Sequence, residues 1–281
     1  MKKPNLLVIK KTLLFAALGV IGLIGINSCE NLENLCGIEE SNLATGEVFV
    51  ISLNHMVDIY SRVDNISKDS LLNTTGTNSI DGATCTKTND SLIIDFGSTP
   101  VLCQDGKYRS GSIRSKLRGT YEVVGSEISA NLVNYYVNES HLSGSLNVNN
   151  NGPESTPVFN VSTTTFKVDS VSEINYNFNM AWEAGFVTPE LEDDIFDVSG
   201  SVTGGDSTNS VKFSSTILDP LHYVYSCPSL IEKGEIELIL IDDELVPTFN
   251  VDFIEGDGCN NLFRSTVDCD GQPISFTYPF N

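Results

Sequence analysis

The chain has 281 residues with 16 basic and 37 acidic side chains, a formal net charge of −21 at pH 7. That excess of anions argues against nucleic acid as a partner, because affinity for it comes largely from cations that displace counterions from phosphate. A hydrophobic content of 40% suffices for a sizeable core, and abundant Gly, Asn, Ser and Thr with few long charged helix formers favour an all-β class.

Lys2, Lys3, Lys10 and Lys11 precede an apolar run over residues 13–26, the charged-then-apolar layout of an export signal. About 14 apolar residues at ~1.5 Å each reach only ~21 Å of a ~30 Å hydrocarbon core, so the run is too short to span a membrane as a helix. Its end, Ile26-Asn27-Ser28-Cys29, resembles the lipobox of bacterial lipoproteins, in which the cysteine is lipidated and becomes the new N-terminus. Asn27 departs from the usual small or aliphatic residue there. The resemblance implies a signal peptide over residues 1–28, a lipid on Cys29 and a membrane as the partner reached through it. Each buried CH₂ contributes ~0.8 kcal/mol, so two or more acyl chains make such anchoring lasting. Removing residues 1–28 takes away four lysines and no acids, leaving 12 basic against 37 acidic residues, a net charge of −25.

Residues 29–45 read as a solvated tether with Glu30, Glu33, Glu39 and Glu40 close behind the cysteine. Acids in that place resemble the surface-export signal of Bacteroidota lipoproteins. Residues 46–281 form the β-rich domain, with possible halves 46–150 and 158–281. Phe49, Leu53, Met56, Tyr60 and Val63 recur at spacings of four and three, which predicts one apolar helix face over residues 46–66, with Asp58, Ser61 and Asp64 elsewhere on the wheel. Such a helix packs on a sheet. His55 and Met56 are read as surface and packing residues.

After Ser67 the period changes to two. Leu92 to Phe96 reads as a strand, residues 97–107 as a loop with Cys103 and an Asp105-Gly106 turn signal, and Ile113, Ser115 and Leu117 alternate with Arg114, Lys116 and Arg118. Those three cations on one face are a candidate seat for an anion or the partners of acids on neighbouring strands. Strand signals continue at Ile128 to Leu132 and Leu142 to Val148. The polar stretch 149–157 interrupts them as a long loop or boundary. Phe159 and Val161 resume the pattern, and Ile174, Tyr176, Phe178, Met180 and Trp182 alternate with Asn175, Asn177, Asn179 and Ala181. Further strands are signalled around Val198, Phe213, Leu238, Val251 and Phe276. Roughly a dozen strands joined by short turns, with no helical crossovers, predict an antiparallel meander forming a sandwich or open barrel with one N-terminal amphipathic helix packed on it.

With Cys29 lipidated, Cys36, Cys85, Cys103, Cys227, Cys259 and Cys269 remain. Six cysteines in an exported chain read as disulfides, with 15 possible pairings. No Cys-x-x-Cys or Cys/His cluster suggests zinc. A short internal echo links Asp95-Phe96, Cys103 and Arg109 to Asp252-Phe253, Cys259 and Arg264. The run Leu92-Ile93-Ile94-Asp95-Phe96-Gly97 followed by Asp105-Gly106-Lys107-Tyr108-Arg109-Ser110-Gly111-Ser112-Ile113 resembles an IDFG…DGxxRxGxI run of uncharacterised Bacteroidota lipoproteins. The likeness continues through Asn134 to Asn138, Asp193-Asp194, Pro220-Leu221 and Val251-Asp252-Phe253 to Cys259-Asn260-Asn261. It implies a β-rich, anchored, exported protein without an assigned activity, in which Cys85, Cys103, Cys227 and Cys259 are the shared cysteines; Cys36 and Cys269 are then left to each other by elimination.

Chemistry is sparse. Glu190, Glu192, Asp193, Asp194 and Asp197 follow Trp182, and carboxylate pairs beside an aromatic platform are what glycoside hydrolysis needs. Adjacent acids on one loop are more often a solvated turn or a calcium seat, for which Glu192, Asp193 and Asp194 are the candidates. His55, His141 and His222 lie far apart beside no serine motif, and no glycine loop for phosphate appears, so no cofactor is expected. Asp69-Ser70-Leu71, Asp90-Ser91-Leu92 and Asp169-Ser170-Val171 resemble the short sites that Bacteroidota O-glycosylate. The expected function is a lipid-anchored outer-membrane or surface lipoprotein acting as a non-enzymatic structural or binding module. The alternative is a glycan-binding or glycan-hydrolysing protein built on Trp182 and its neighbouring acids.

Overall fold

A computed structural model describes residues 40–281 except 154, 170–171, 187, 189, 207–210, 228–229, 242–247, 254–258, 260–261, 270 and 280–281. The expected signal peptide, Cys29, Cys36 and the tether up to residue 39 lie outside the described residues. Among the described residues the elements are a long helix α1 (Glu40–Lys68), a short helix α2 (Ser70–Thr75), and fourteen strands. These are β1 (Thr77–Ile80), β2 (Ala83–Thr88), β3 (Ser91–Leu102), β4 (Tyr108–Arg118), β5 (Glu127–Val137), β6 (Ser140–Asn150), β7 (Val158–Val168), β8 (Ser172–Ala184), β9 (Ile195–Asp206), β10 (Val211–Val224), β11 (Ile231–Ile241), β12 (Thr248–Phe253), β13 (Leu262–Cys269) and β14 (Gln272–Pro279).

All fourteen strands make one antiparallel sheet in sequence order, the meander expected from the short turns, and the sheet does not close on itself. Among the described residues no second sheet faces it. The polar stretch 149–157 separates nothing, because β6 and β7 on either side of it pair from Asn150↔Phe159 to Leu142↔Val168. The 97–107 loop shrinks, since β3 runs on to Leu102 through a bulge at Gly97. Sequence periodicity gave no sign of α2, β1 or β2, which are short and lack an apolar repeat.

In place of a second sheet, the first one curls around α1. This helix begins six residues before and ends two residues after the predicted 46–66, and its 29 residues span ~43 Å. Strands β3 and β4 contact one side of it, β9 to β11 another. Between them, Met56 and Ile59 face Leu132 of β5, Leu146 of β6 and Phe166 of β7, while Ser52 hydrogen-bonds Tyr176 of β8 at 2.7 Å. A helix surrounded in this way buries more than one stripe. Phe49, Leu53, Met56, Tyr60 and Val63 are in the core as their spacing predicts, and so are Val50, Ile59, Ile66 and the polar Ser52, Asp58, Asp64 and Ser67.

Along β8, Ile174, Tyr176, Phe178, Met180 and Trp182 point inward and are buried, while Glu173, Asn175, Asn177 and Asn179 point out and are exposed. Arg114, Lys116 and Arg118 of β4 are likewise outward and exposed. An outer face of Asn, Glu, Lys and Arg suits water; a membrane-spanning barrel carries an apolar band there. Among the described residues no helix is long and apolar enough to cross a membrane.

Curvature comes from bulges. Register shifts interrupt β3/β4, β4/β5, β5/β6, β6/β7 and β7/β8 in turn, and left-handed backbone at Gly97, Gly111, Asn134, Gly144 and Thr165 accompanies them. Each such kink adds local twist, and a row of them across neighbouring strands lets a wide sheet curl. At Gly144 (φ 113°) a Cβ would lie 2.6 Å from the Thr165 carbonyl oxygen, so glycine is required by both torsion and space.

Two small apolar cavities of about 10 Å³ each lie beside α1, and Met56 lines both. Truncation there would join them. Met56→Ala is expected to cost ~2–5 kcal/mol in urea unfolding and Met56→Leu under ~1.5 kcal/mol, the difference reporting the void.

Candidate functional site

Two charged ensembles sit inside the wrap at successive positions along α1. The first is built on Arg109 of β4, whose side chain is 0% exposed. Its Nη2 donates to Asp58 Oδ1 of α1 at 2.6 Å and to Asp105 Oδ2 at 2.5 Å, and its Nη1 to Asp105 Oδ1 at 2.8 Å. The Asp105-Gly106 turn aims Asp105 inward, and the Lys107 amide donates to Asp105 Oδ1 at 3.1 Å. Arg62, one helical turn after Asp58, donates to Asp81 Oδ2 at 2.7 Å and lies 3.5 Å from both Asp58 and Asp105. Lys107 donates to Asn54 Oδ1 at 2.8 Å.

Burial raises the Asp105 carboxyl, but the hydrogen bonds and charge of Arg109 outweigh it and hold the group at about 2. Asp58 is also held low, against its burial, by Arg62 and Arg109. Asp81, Cys103 and Asp105 bring ligand atoms within 4.8 Å of one another, the only such group among the described residues. Charge decides against a metal there. Asp58, Asp81 and Asp105 face Arg62, Lys107 and Arg109, three against three, so a divalent ion would have to displace guanidinium groups already bound to the same oxygens.

His55, on the same stretch of helix, has a buried Nδ1 without a hydrogen-bond partner, and burial pushes its imidazole down to about 4. A depressed histidine contributes stability that is present above its unfolded value of 6.5 and lost as pH falls toward 4. Asp194 acts oppositely: burial raises it to about 6, so its contribution is present below 3.8 and lost as pH rises through 6. His55→Gln should therefore raise stability at pH 4.5 relative to pH 7, seen as a urea midpoint at pH 4.5 that gains on the one at pH 7 compared with the wild type.

The second ensemble centres on Lys68 at the end of α1. Its Nζ lies 2.8 Å from Asp64 Oδ2 and 2.5 Å from Asp194 Oδ2. It also sits over the rings of Trp182, 4.4 Å from the centroid, and Tyr225, at 5.3 Å. Trp182 Nε1 donates to Asp194 Oδ1 at 3.0 Å. Tyr121 donates to Asp64 Oδ1 at 2.6 Å, and Tyr225 to Asp64 Oδ2. Trp182 also packs on Phe159 and Phe196.

This arrangement corrects the expectations for the acidic stretch. Trp182 is 3% exposed and offers no platform to a sugar. The acids after it diverge: Asp194 turns inward to Lys68, Glu190, Glu192 and Asp193 are exposed, and Asp197 pairs with His222 Nδ1 at 2.8 Å. Asp193 instead accepts from the Thr188 hydroxyl. Glu192, Asp193 and Asp194 thus do not bring their carboxylates together. The ridge of Arg114, Lys116 and Arg118 lies open to solvent with Arg118 3.5 Å from Glu127 across the β4/β5 ladder.

Cys227 and Cys259 form a disulfide with Cα atoms 5.2 Å apart. Cys85 and Cys103, expected among the disulfide cysteines, are buried free thiols instead. Burial pushes the Cys85 thiol up to about 11 and raises Cys103 as well, so neither is a ready nucleophile at neutral pH. Position 269 ends β13. The internal echo stops at topology, because Arg109 points into the core whereas Arg264 is exposed and pairs with Asp252.

An open depression of about 360 Å³ lies across β10 to β13 and is lined by Asp219, Lys233, Glu235, Asp252 and Arg264 among others. No family model, no curated protein and no solved structure matches this chain.

Proposed function

We propose that this protein is a lipid-anchored lipoprotein of a bacterial outer membrane whose β body serves as a non-enzymatic structural or binding module. The observation that carries the reading is the charged and then apolar leader ending in Ile26-Asn27-Ser28-Cys29. Helix α1 starts eleven positions after Cys29 and runs straight into the core. An anchor there would hold the body within about ten residues of the bilayer, at most ~35 Å when extended. The polar outer face suits a body standing in water beside a membrane. The interior carboxylates and bases are engaged with one another, which favours a scaffold over a catalyst. A glycan reading would need Trp182 open to solvent, and its burial removes that support.

The test is metabolic labelling of the full chain with an alkyne fatty acid in a bacterium that processes lipoproteins. The wild type should carry the label and sediment with membranes. Cys29→Ala should lose both properties, and an unlabelled wild type would overturn the reading.

A further inference from the structure

The geometry points to an intramolecular isopeptide bond between Lys68 Nζ and Asp194 Cγ, formed by the protein itself with Asp64 as proton carrier. Three groups that such a condensation needs are present. The nucleophile is Lys68, 2.5 Å from Asp194 Oδ2. Because that oxygen is bonded to Cγ at ~1.2 Å, the carbon is at most ~3.7 Å from the amine, close to attack distance. The proton carrier is Asp64, 2.8 Å from the same nitrogen and fixed by the hydroxyls of Tyr121 and Tyr225. The electrophile is polarised by Trp182, whose Nε1–H donates to Asp194 Oδ1 at 3.0 Å, where negative charge gathers as the nitrogen adds.

The surroundings exclude water. Asp64 and Asp194 side chains are 0% and 2% exposed and Lys68 12%, under the rings of Trp182 and Tyr225. Burial pushes Asp194 up to about 6, toward the acid form that can be attacked. Lys68 is held as ammonium by the two carboxylates against its own burial, so the amine is reached by a proton hop within the triad and not by loss to solvent. The balance closes without a cofactor or redox partner. Of the three ammonium protons one stays on the amide nitrogen and two, carried across by Asp64, leave with Oδ2 as water. One C–N bond forms and one C–O bond breaks. An ion pair this deeply buried is a weak source of stability; the amide would convert it into a covalent tie between the end of α1 and the turn before β9.

The inference does not depend on how the chain is anchored. The test is peptide-level mass spectrometry of the full chain, purified folded and digested. We expect a branched peptide joining Lys68 to Asp194, one water lighter than its two arms. Asp64→Asn should yield the two linear peptides, and Trp182→Phe should accumulate the branched one ~10²-fold more slowly in a pulse-chase, as for loss of one oxyanion donor. Should either variant fail to fold, the wild type decides alone. Linear peptides carrying unmodified Lys68 and Asp194 from aged, folded wild type would overturn the proposal and leave an ion pair.

Discussion

Gly111→Ala is expected to abolish the native fold, with a loss of more than ~4 kcal/mol, whereas Gly97→Ala should cost only ~1 kcal/mol. The two glycines face each other across β3 and β4, with φ of 81° and 75°. Torsional strain is therefore common to both substitutions. They differ in space: a Cβ at Gly111 would lie 1.9 Å from the carbonyl oxygen of Asn134, which is backbone and cannot rotate away, while at Gly97 it would meet nothing within 4 Å. Soluble yield and urea unfolding of the pair would separate sterics from backbone preference. Equal effects would mean that the close approach of β4 and β5 at their bulge is not what demands glycine there.

Arg109→Ala is expected to cost ~3–5 kcal/mol, since it takes from Asp105 its main counter-charge and from the buried Asp58 one of two. Its pH dependence carries the sign. Asp105 is held at about 2 against a usual 3.8, so its contribution is present above pH 3.8 and disappears as pH falls toward 2. Without Arg109 that acid limb should be shallower, a difference visible in denaturant midpoints measured between those two pH values. A variant that keeps the wild-type slope would show that Arg62, 3.5 Å from Asp105, carries the stabilisation instead.

The sequence reading found the sheet because alternation survives any packing arrangement: Ile174 to Trp182 is read as one apolar face, and all five residues are buried. An open platform at Trp182 conflicts with its membership of that face, which favours the core. The Phe49 to Val63 stripe marks the helix, but it leaves Asp58 and Asp64 off the apolar face as polar positions. That inference assumes a helix lying on a flat sheet, with one side wet. Here the partner strands surround the helix, so acids off the stripe are buried too and draw Arg109, Lys68 and Arg62 in with them. A clue was available in Asp58/Arg62 and Asp64/Lys68, each four residues apart on the helix. The approach of Asp194 to Lys68 was not legible, because it depends on where a loop more than a hundred positions away turns inward.

The neighbour-by-neighbour order of the strands also bears on how the molecule comes into being. Every hairpin can zip onto the one before it, and local contacts of that kind form fast. The helix is different, since it is synthesised before the strands yet waits for β9 to β11, from the far half of the chain, before its apolar sides are housed. Helix capture is thus the step expected to limit refolding, and changes at Tyr60 or Val63 should slow that step more than equal changes on the outer strands.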